Sequence, residues 1–386
     1  MISLPLPARR IAAVFALHAM SQGGLFARIP DLQLSLGMDA TTLGLVLLGQ
    51  PAGAILSFLF ASQVVERLGT RLVMLFSIPM MAVAMAGVGF APSAFWMGVG
   101  LAVFGVFFAL ANVAINVEAD RTEAHLGRHI MNTCHGVWSV GLLATTLVAT
   151  LARAAAIPVS VHFGLTVIPV LLGTLYFALP MQPAPPRPHA PALKRFRVAT
   201  LTPLLLPLLG YSIASSLLEG GLRNWSVIFM RDNFSAPDWV DTLTLPCFVA
   251  AQSIGRLLGD WAVARFGPVR LARVLALVAL AGTALVVFSP NLELALLGFV
   301  LIGAGVCISF PLSTTAAARL GDRPASENVA ALTMAQQLLL LGAPALLGFI
   351  ADTLSIRATF AVMIPPMIAA LWLARYLAPR PQPHAG

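Results

Sequence analysis

The sequence predicts an all-α polytopic membrane protein in which twelve transmembrane helices form two six-helix halves that repeat each other. Apolar residues make up 59% of the 386-residue chain and charged residues only 10%, whereas a soluble domain carries about 25% charged residues. Apolar runs of about 20 residues recur along the chain, and each is long enough to cross a bilayer. A segment rich in proline and basic residues divides the chain near its middle. Together these features predict two helical halves joined by a linker.

Six apolar spans are predicted in the first half, residues 1–180. Arg9 and Arg10 precede the first span, which we expect to remain as a helix because it is long and lacks a convincing signal-peptide cleavage site. Short turns or charged loops, such as residues 66–71 and 118–129, separate the later spans. To within several residues, the spans are 10–30, 40–64, 71–90, 94–117, 131–152 and 159–180.

Residues 181–198 form the predicted linker. Their prolines and basic residues favour an extended polyproline conformation that cannot span a bilayer. We therefore expect a basic cytoplasmic linker between the two halves. The second half, residues 199–386, repeats the plan of the first, with predicted spans at about 200–222, 240–263, 269–288, 292–317, 328–350 and 358–378.

The distribution of charge predicts the orientation of these spans. The formal net charge of +8 does not indicate a nucleic-acid partner, because the basic residues lie mostly in alternate loops rather than in one domain. Placing both termini in the cytoplasm puts most Lys and Arg residues on that side, as the positive-inside rule requires. The exceptions are Arg28, Arg153, Arg223, Arg231 and Arg357. We expect a monomeric, multi-pass protein of a bacterial cytoplasmic (inner) membrane.

The two halves also match each other in sequence. Gly303 follows Gly105 by 198 positions, and the same offset relates Arg319 to Arg121. The offset holds over spans two to four and their counterparts in the second half. Parallel repeats of this kind are typical of transporters, which bind substrate near the membrane midplane and expose it to each side in turn.

Two short segments carry a resemblance to a known family. Residues Ser62–Arg71 resemble the loop signature of the major facilitator superfamily, Gly-x-x-x-Asp-Arg-x-Gly-x-basic, and Ala264–Arg270 resembles its second copy. Within that superfamily, Ala114–Glu118, Glu219-Gly220 and Phe310–Leu312 are similar to the fucose-permease-like branch of bacterial inner-membrane proteins. The resemblance implies a transporter of small solutes with a twelve-helix fold.

The chain departs from this family pattern at several positions. Ser62 replaces the first glycine of the signature and Glu66 replaces its aspartate. The sugar–proton symporters of the branch carry a glutamate where this chain has Asn112, and an aspartate where it has Phe26. Neither proton-carrying position of those symporters therefore holds an acid in this chain, so the resemblance does not extend to fucose transport or to their symport chemistry.

Seven side chains, six within the spans and Trp225 just beyond span seven, are candidates for the substrate cavity. Polar groups are costly in hydrocarbon, so a polar side chain inside a span indicates a functional site by default. Asn112 and Asn116 lie four residues apart on one helix face. They either line the cavity or hydrogen-bond between helices. The complete set is Gln22, Asn112, Asn116, His135, Trp138, Tyr211 and Trp225.

Glu219 is the candidate proton-coupling residue. It shares a face of span seven with Tyr211 and Ser215, and burial favours the neutral form of a carboxyl group. Such an acid takes up and releases protons on alternate sides of a membrane. Alternatively, Arg223 holds it in a permanent ion pair. His135 is the second candidate, because histidine titrates near neutral pH, unless it is a hydrogen-bonded core residue.

The resemblance also implies a cytoplasmic gate built from the repeated signature. We expect Glu118 to pair with Arg67, Arg71 or Arg121 in this gate. Its predicted members are Glu66, Arg67, Gly69, Arg71, Arg265 and Gly267, together with Glu118 and Arg121.

Two further charged sites have alternative readings. Arg256 and Asp260 lie one turn apart in span eight, and we expect them to pair near the cytoplasmic side. Arg28 lies near the outer end of span one. It either attracts anionic solutes or contacts a lipid headgroup.

The predicted function is secondary active transport of a small organic solute by alternating access, coupled to protons. No phosphate-binding loop, metal-spaced histidine cluster or nucleophile elbow is present in the sequence, so we expect no enzyme activity, no cofactor and no metal. Two alternatives remain open. One is efflux of apolar drugs or metabolites, and the other is a transport-inactive membrane solute sensor.

Overall fold

The computed structural model describes residues 5–127, 130–185, 201–322 and 325–378. The chain forms two compact helical units, the first comprising Met1–Ala192 and Pro237–Thr242, and the second Leu193–Ala236 and Leu243–Gly386. Most of the predicted linker, residues 181–198, lies outside the described residues. The predicted domain boundaries therefore stay a prediction.

The first unit consists of eight helices from the first half of the chain and one short helix from the second. Its helices are α1 (Leu6–Ser35), α2 (Ala40–Leu47), α3 (Gly49–Phe58), α4 (Ala61–Leu68), α5 (Thr70–Gly89), α6 (Ala94–Leu126), α7 (Met131–Ala154), α8 (Val159–Ala178) and α10 (Asp238–Asp241).

The second unit is helical as well. Its helices are α9 (Leu206–Asn233), α11 (Thr244–Phe266), α12 (Pro268–Phe288), α13 (Leu292–Val306), α14 (Ser309–Ala318), α15 (Ala325–Leu340), α16 (Ala343–Thr353), α17 (Ile356–Ala361) and α18 (Ile364–Leu373), followed by a 3₁₀ turn (Ala374–Leu377).

Within the described part of the chain, nine helical segments are long and apolar enough to cross a membrane. Helices α1, α9 and α11 fall outside this set, although they contain 30, 28 and 23 residues, enough to cross at about 1.5 Å per residue. They carry Gln22, Glu219 and Arg256, so their polarity coincides with candidate site residues. Twelve spans are consistent with this arrangement, and the count stays a prediction.

Helix breaks lie just before prolines in several predicted spans, and the span predicted at 40–64 forms three helices, α2, α3 and α4. A proline inside a helix leaves the carbonyl four residues earlier without its hydrogen bond. The breaks before Pro51, Pro311 and Pro344 lie between α2 and α3, α13 and α14, and α15 and α16. The breaks before Pro246, between α10 and α11, and before Pro365, between α17 and α18, have the same form.

Helix α6 is longer than the sequence predicted. The expected charged loop at residues 118–129 is helical as far as Leu126. Gly127 ends the helix in the left-handed conformation, with φ +59°, as glycine commonly does at the residue after a helix. The predicted loop was wrong because charged residues continue a helix readily once it leaves the apolar layer.

The repeat predicted from the sequence is visible in how glycines allow helices to approach each other. A Cβ atom at Gly105 of α6 would collide with the carbonyl oxygen of Gln50 in α3. In the second unit, a Cβ atom at Gly303 of α13 would lie 2.6 Å from the carbonyl oxygen of Phe248 in α11. Phe248 is the residue that the same offset assigns to Gln50, so the two contacts are equivalent.

A second pair of glycine contacts follows the same offset. A Cβ atom at Gly100 would lie 2.8 Å from the Cγ2 atom of Val88, and a Cβ atom at Gly298 would lie 2.8 Å from the Cγ2 atom of Val286. Close packing of small residues is a common way for membrane helices to associate. Each unit therefore packs corresponding helices through corresponding glycines.

Candidate functional site: polar clusters within the apolar helices

The first unit holds a polar cluster where α1, α6 and α7 meet. The indole Nε1 of Trp138 donates a hydrogen bond to Nδ1 of His18 at 3.1 Å. The His18 ring also lies 4.9 Å from the ring of Phe108 on α6. His18 is 1% exposed, and its Nε2 has no hydrogen-bond partner among the described residues. This nitrogen is therefore available to a ligand.

Gln22 extends this cluster along α1. It lies one turn after His18 and is 6% exposed. Its Oε1 atom is buried without a partner in the described structure. A buried amide oxygen without a hydrogen bond costs about 1–3 kcal/mol, which is a reason to expect a donor there during function.

Asn112 and Asn116 bond to each other within α6 rather than to a neighbouring helix. Nδ2 of Asn116 donates to the backbone oxygen of Asn112 at 2.8 Å and to its Oδ1 at 3.2 Å. Both residues are half-buried. Of the two alternatives from the sequence, this geometry gives no support to hydrogen bonding between helices.

His135 is exposed, although it lies within the apolar helix α7. Its ring contacts Phe15 on α1 edge-on, with ring centroids 5.2 Å apart. An imidazole is costly against lipid, so this face of α7 is expected to meet water or protein. Its role as a cavity or proton-carrying residue stays a prediction.

Tyr211 and Trp225 lie in the packed core of the second unit. They are 1% and 0% exposed, respectively, so neither ring borders open space in this structure. Aromatic rings of this size contribute strongly to core packing. Trp225 nevertheless leaves its indole Nε1 without an acceptor among the described residues, and the cavity role of both residues stays a prediction.

Glu219 lies at the centre of a charged cluster in the second unit. Its Oε1 accepts a hydrogen bond from Nη2 of Arg223 at 2.6 Å, and Nη2 of Arg256 lies 3.9 Å from the same oxygen. The Glu219 side chain is 22% exposed and that of Arg223 is 19% exposed. The Arg223 pairing that the sequence left as an alternative is therefore present, and a second guanidinium adjoins it.

Arg256 is positioned by the proline break between α13 and α14. Pro311 has no N–H group, so the carbonyl of Cys307 lacks its usual helical partner. Nε of Arg256 donates to that oxygen at 3.0 Å. Gly255 lets the two helices approach, since a Cβ atom there would lie 2.6 Å from Sγ of Cys307. The sequence predicted a pair with Asp260 instead, whose side chain lies outside the described residues.

Gln252 completes the charged cluster from one turn earlier on α11. It is 2% exposed and lies beside Glu219. Its Nε2 has no hydrogen-bond partner in the described structure, and the same holds for Nε of Arg223. The cluster therefore has buried donors to spare.

The two units contain equivalent polar links that the sequence analysis did not identify. In the second unit, Nε2 of Gln336 on α15 donates to Oγ of Ser216 on α9 at 2.9 Å. The 198-residue offset assigns Ser216 to His18 and Gln336 to Trp138. The 198-residue offset could have predicted that these two pairs occupy equivalent positions. It could not have predicted the residues themselves, because the residue types differ between the two units.

Gly69 and Gly267, the paired glycines of the gate signature, adopt the same unusual backbone conformation. Gly69 lies between α4 and α5 with φ +81° and ψ +151°. Gly267 lies between α11 and α12 with φ +77° and ψ +154°. This region of φ and ψ is essentially restricted to glycine, so the signature needs glycine for its tight helix-to-helix turn.

Glu118 bonds to partners other than the expected arginines. It is 1% exposed. Its Oε2 accepts from the Thr70 hydroxyl at 2.5 Å and its Oε1 accepts from the backbone N–H of Ala184 at 2.8 Å. Among the described residues no arginine lies within ion-pair distance of it. Glu118 thus joins α6 to the first turn of α5, where a helix N-terminus favours a carboxylate.

The other members of the gate signature lie at or near the surface. Glu66, Arg67 and Arg265 are exposed, while Arg71 and Arg121 are half-buried. The side chains of Glu66 and Arg67 make no ion pair with the described residues. Their grouping as a gate stays a prediction.

Arg28 is neither exposed to solutes nor placed at a headgroup. It is 3% exposed, and its Nη2 donates to the backbone oxygen of Ile157 at 2.8 Å. Asp31 lies between Arg28 and Arg153, at 2.6 Å and 2.9 Å from their Nε atoms. Both sequence alternatives for Arg28 are wrong in this structure, because the side chain is used inside the first unit.

Known proteins resemble this chain over most of its length. A model of the Major Facilitator Superfamily matches residues 11–338 and 225–386. An uncharacterized transporter, y4wD, of Sinorhizobium fredii is 29% identical over 361 residues, which cover 92% of this chain and 94% of that protein. Membrane protein MosC of Rhizobium meliloti is 22% identical over 378 residues, covering 97% and 91%.

Solved structures of transporters share the fold. The nucleoside transporter NupG superposes with a TM-score of 0.75 at 11% identity, covering 96% of this chain and 99% of that one. A D-xylose–proton symporter gives a TM-score of 0.74 at 13% identity, covering 96% of each chain. At such identities the likeness establishes the fold alone.

The repeated helical units, the apolar helices long enough to cross a membrane and the transporter relatives together indicate a polytopic membrane transporter. The chain belongs to the Major Facilitator Superfamily, because the model of that family matches it almost from end to end.

Proposed function

We propose that this transporter moves a small organic solute across a bacterial cytoplasmic membrane by secondary active transport, with alternating access and with protons as the coupling ion. The observation that carries the proposal is the position of Glu219. It is a partly exposed carboxylate within α9, which we predict to span the membrane, and one of its oxygens faces Arg223 and, at longer range, Arg256.

Protonation of Glu219 changes the charge on this cluster without moving the backbone. The ionised carboxylate attracts Arg223, and the neutral acid does not. Proton binding therefore releases a guanidinium group that can then interact with another ligand. This exchange links proton uptake to solute binding.

The polar cluster of the first unit favours a polar solute over an apolar one. Nε2 of His18 and Oε1 of Gln22 are buried without partners, and buried groups of this type are normally hydrogen-bonded. Efflux of apolar compounds would leave them unpaired. An imidazole and an amide together provide both donors and acceptors, as hydroxyl-bearing solutes require.

The function is tested by finding a solute and then following its flux. Purified full-length protein is screened by thermal shift against sugars, organic acids and drugs, and each stabilising compound is tested in proteoliposomes. We expect a pH gradient, acidic on the solute side, to drive solute accumulation that a protonophore abolishes. Solute flux that is indifferent to the pH gradient would contradict proton coupling.

A further inference from the structure

The charged cluster of the second unit has more positive than negative groups. Among its described side chains, Glu219 is the acid, and Arg223 and Arg256 are the bases. Arginine stays protonated in proteins. With Glu219 ionised, these three described side chains carry a net charge of +1, from two guanidinium groups and one carboxylate, and an unbalanced charge in a membrane span is costly.

The groups without partners in this cluster are all hydrogen-bond donors. Nε of Arg223 and Nε2 of Gln252 are buried without an acceptor, and Gln252 is 2% exposed. Oε1 of Glu219 already faces Nη2 of Arg223 and, at 3.9 Å, Nη2 of Arg256, and the side chain of Gln252 approaches the same carboxylate. One described carboxylate thus serves three donor side chains, and a further anionic acceptor would balance the net positive charge of these groups.

Arg256 is both anchored and accessible. Its Nε is fixed on the Cys307 carbonyl at 3.0 Å, while its side chain is 37% exposed. This leaves the terminal NH₂ groups of the guanidinium free to meet an incoming group. A planar guanidinium held in this way matches a carboxylate, which it binds through two parallel hydrogen bonds.

We propose that Arg223, Arg256 and Gln252 bind a carboxylate on the transported solute, so that the substrate is a small organic acid in its anionic form. This rests on the proposed transport function and adds the substrate class to it. The solute carboxylate and the ionised Glu219 compete for the same guanidinium groups. Acid binding therefore strengthens as the pH falls and Glu219 is protonated, provided that the solute itself stays ionised.

The test compares carboxylates with neutral molecules of the same shape. Acetate, benzoate and succinate are compared with acetamide, benzamide and succinamide at equal ionic strength, and binding to the purified full-length protein is measured by thermal stabilisation. We expect the carboxylates to stabilise the protein and the amides to have no effect. Equal stabilisation by both members of each pair, or by neither, would overturn the proposal.

Single substitutions in the charged cluster test whether its arginines bind the carboxylate. Arg256→Gln and Arg223→Gln are expected to weaken carboxylate binding at least about tenfold, which corresponds to about 1.4 kcal/mol. Arg256→Lys retains the charge and shows whether the variant site still folds. Arg231→Gln is the matched control, because Arg231 lies on the same helix and pairs with its neighbour Asp232. Unchanged binding in both Arg→Gln variants would also overturn the proposal.

Glu219→Gln separates this inference from the proposed function. With Arg223 released, the variant is expected to bind benzoate equally well at all pH values at which benzoate is ionised. If carboxylates do not bind preferentially while a neutral solute is still transported with protons, the substrate class alone is wrong. If carboxylates bind but no proton moves with them, proton coupling is wrong and the anion site stands.

Discussion

At Glu219, one carboxylate oxygen lies 2.6 Å from Nη2 of Arg223 and 3.9 Å from Nη2 of Arg256, so protonation of this one residue alters the charge beside two guanidinium groups. The Arg223 pair was foreseeable, because residues four apart on a helix are neighbours. The approach of Arg256 was not, because it depends on how α11 packs against the break between α13 and α14. From spacing alone, Asp260 was the expected partner.

Gly69 leads to a prediction about backbone strain. Its φ of +81° and ψ of +151° exclude other residues, and no atom lies within 4 Å of an added Cβ. Gly69→Ala is therefore expected to cost about 1–3 kcal/mol through backbone conformation alone. The measurement is the melting temperature of the purified protein, together with solute flux, which we expect to fall while solute binding persists.

Gly87 supplies the control for that substitution. It lies inside α5, also with no atom within 4 Å of an added Cβ. Gly87→Ala is expected to be neutral or stabilising by up to about 1 kcal/mol, because alanine is the better helix former. Equal melting temperatures for the two variants would show that the turn at Gly69 imposes no strain.

At the scale of helices, the break between α13 and α14 links a proline in the sequence, Pro311, to the position of Arg256 in the charged cluster. Prolines within the spans predicted irregular helices, and several of the breaks lie just before them. The use of a freed carbonyl could not be predicted, because a proline does not specify which side chain reaches that oxygen. Similarly, the continuation of α6 to Leu126 depends on where the apolar layer ends.

Pro311→Ala tests this connection. Alanine restores an N–H group that competes with Arg256 for the Cys307 oxygen. We expect a protein at least as stable as the wild type, because alanine is the better helix former and can join α13 to α14, but with clearly reduced solute flux. Melting temperature and proteoliposome flux are measured together.

Pro169→Ala is the matched control, since Pro169 lies inside α8 of the first unit. There the substitution is expected to leave flux unchanged. Wild-type flux in Pro311→Ala would show that the Arg256 anchor is dispensable.

For the whole molecule, the 198-residue repeat was the most informative feature of the sequence. It predicted equivalent helices in the two halves, and the matched contacts of Gly105 and Gly303 confirm this within each unit. It did not predict which polar residues occupy equivalent sites. His18 and Trp138 correspond to Ser216 and Gln336, so the paired positions are equivalent while the residue types differ.

The orientation of the chain is testable by labelling single cysteines in a variant without Cys134, Cys247 and Cys307. Pro92 and Pro290 are exposed and occupy equivalent positions in the repeat. With both termini in the cytoplasm, Pro92→Cys and Pro290→Cys are expected to react with a membrane-impermeant maleimide in intact cells. Gln63→Cys, on the predicted cytoplasmic side, is expected to react only after the membrane is opened, and the reverse pattern would contradict the positive-inside assignment.

The most direct test of proton-coupled transport compares wild-type protein with Glu219→Gln in proteoliposomes, using a solute found by the thermal-shift screen. Two fluxes are measured for each protein: accumulation driven by a pH gradient, and exchange of labelled for unlabelled solute without a gradient. We expect Glu219→Gln to lose the first flux and retain the second, because exchange needs no net proton movement. Undiminished accumulation driven by the pH gradient in Glu219→Gln would contradict the assignment of Glu219 as the proton site.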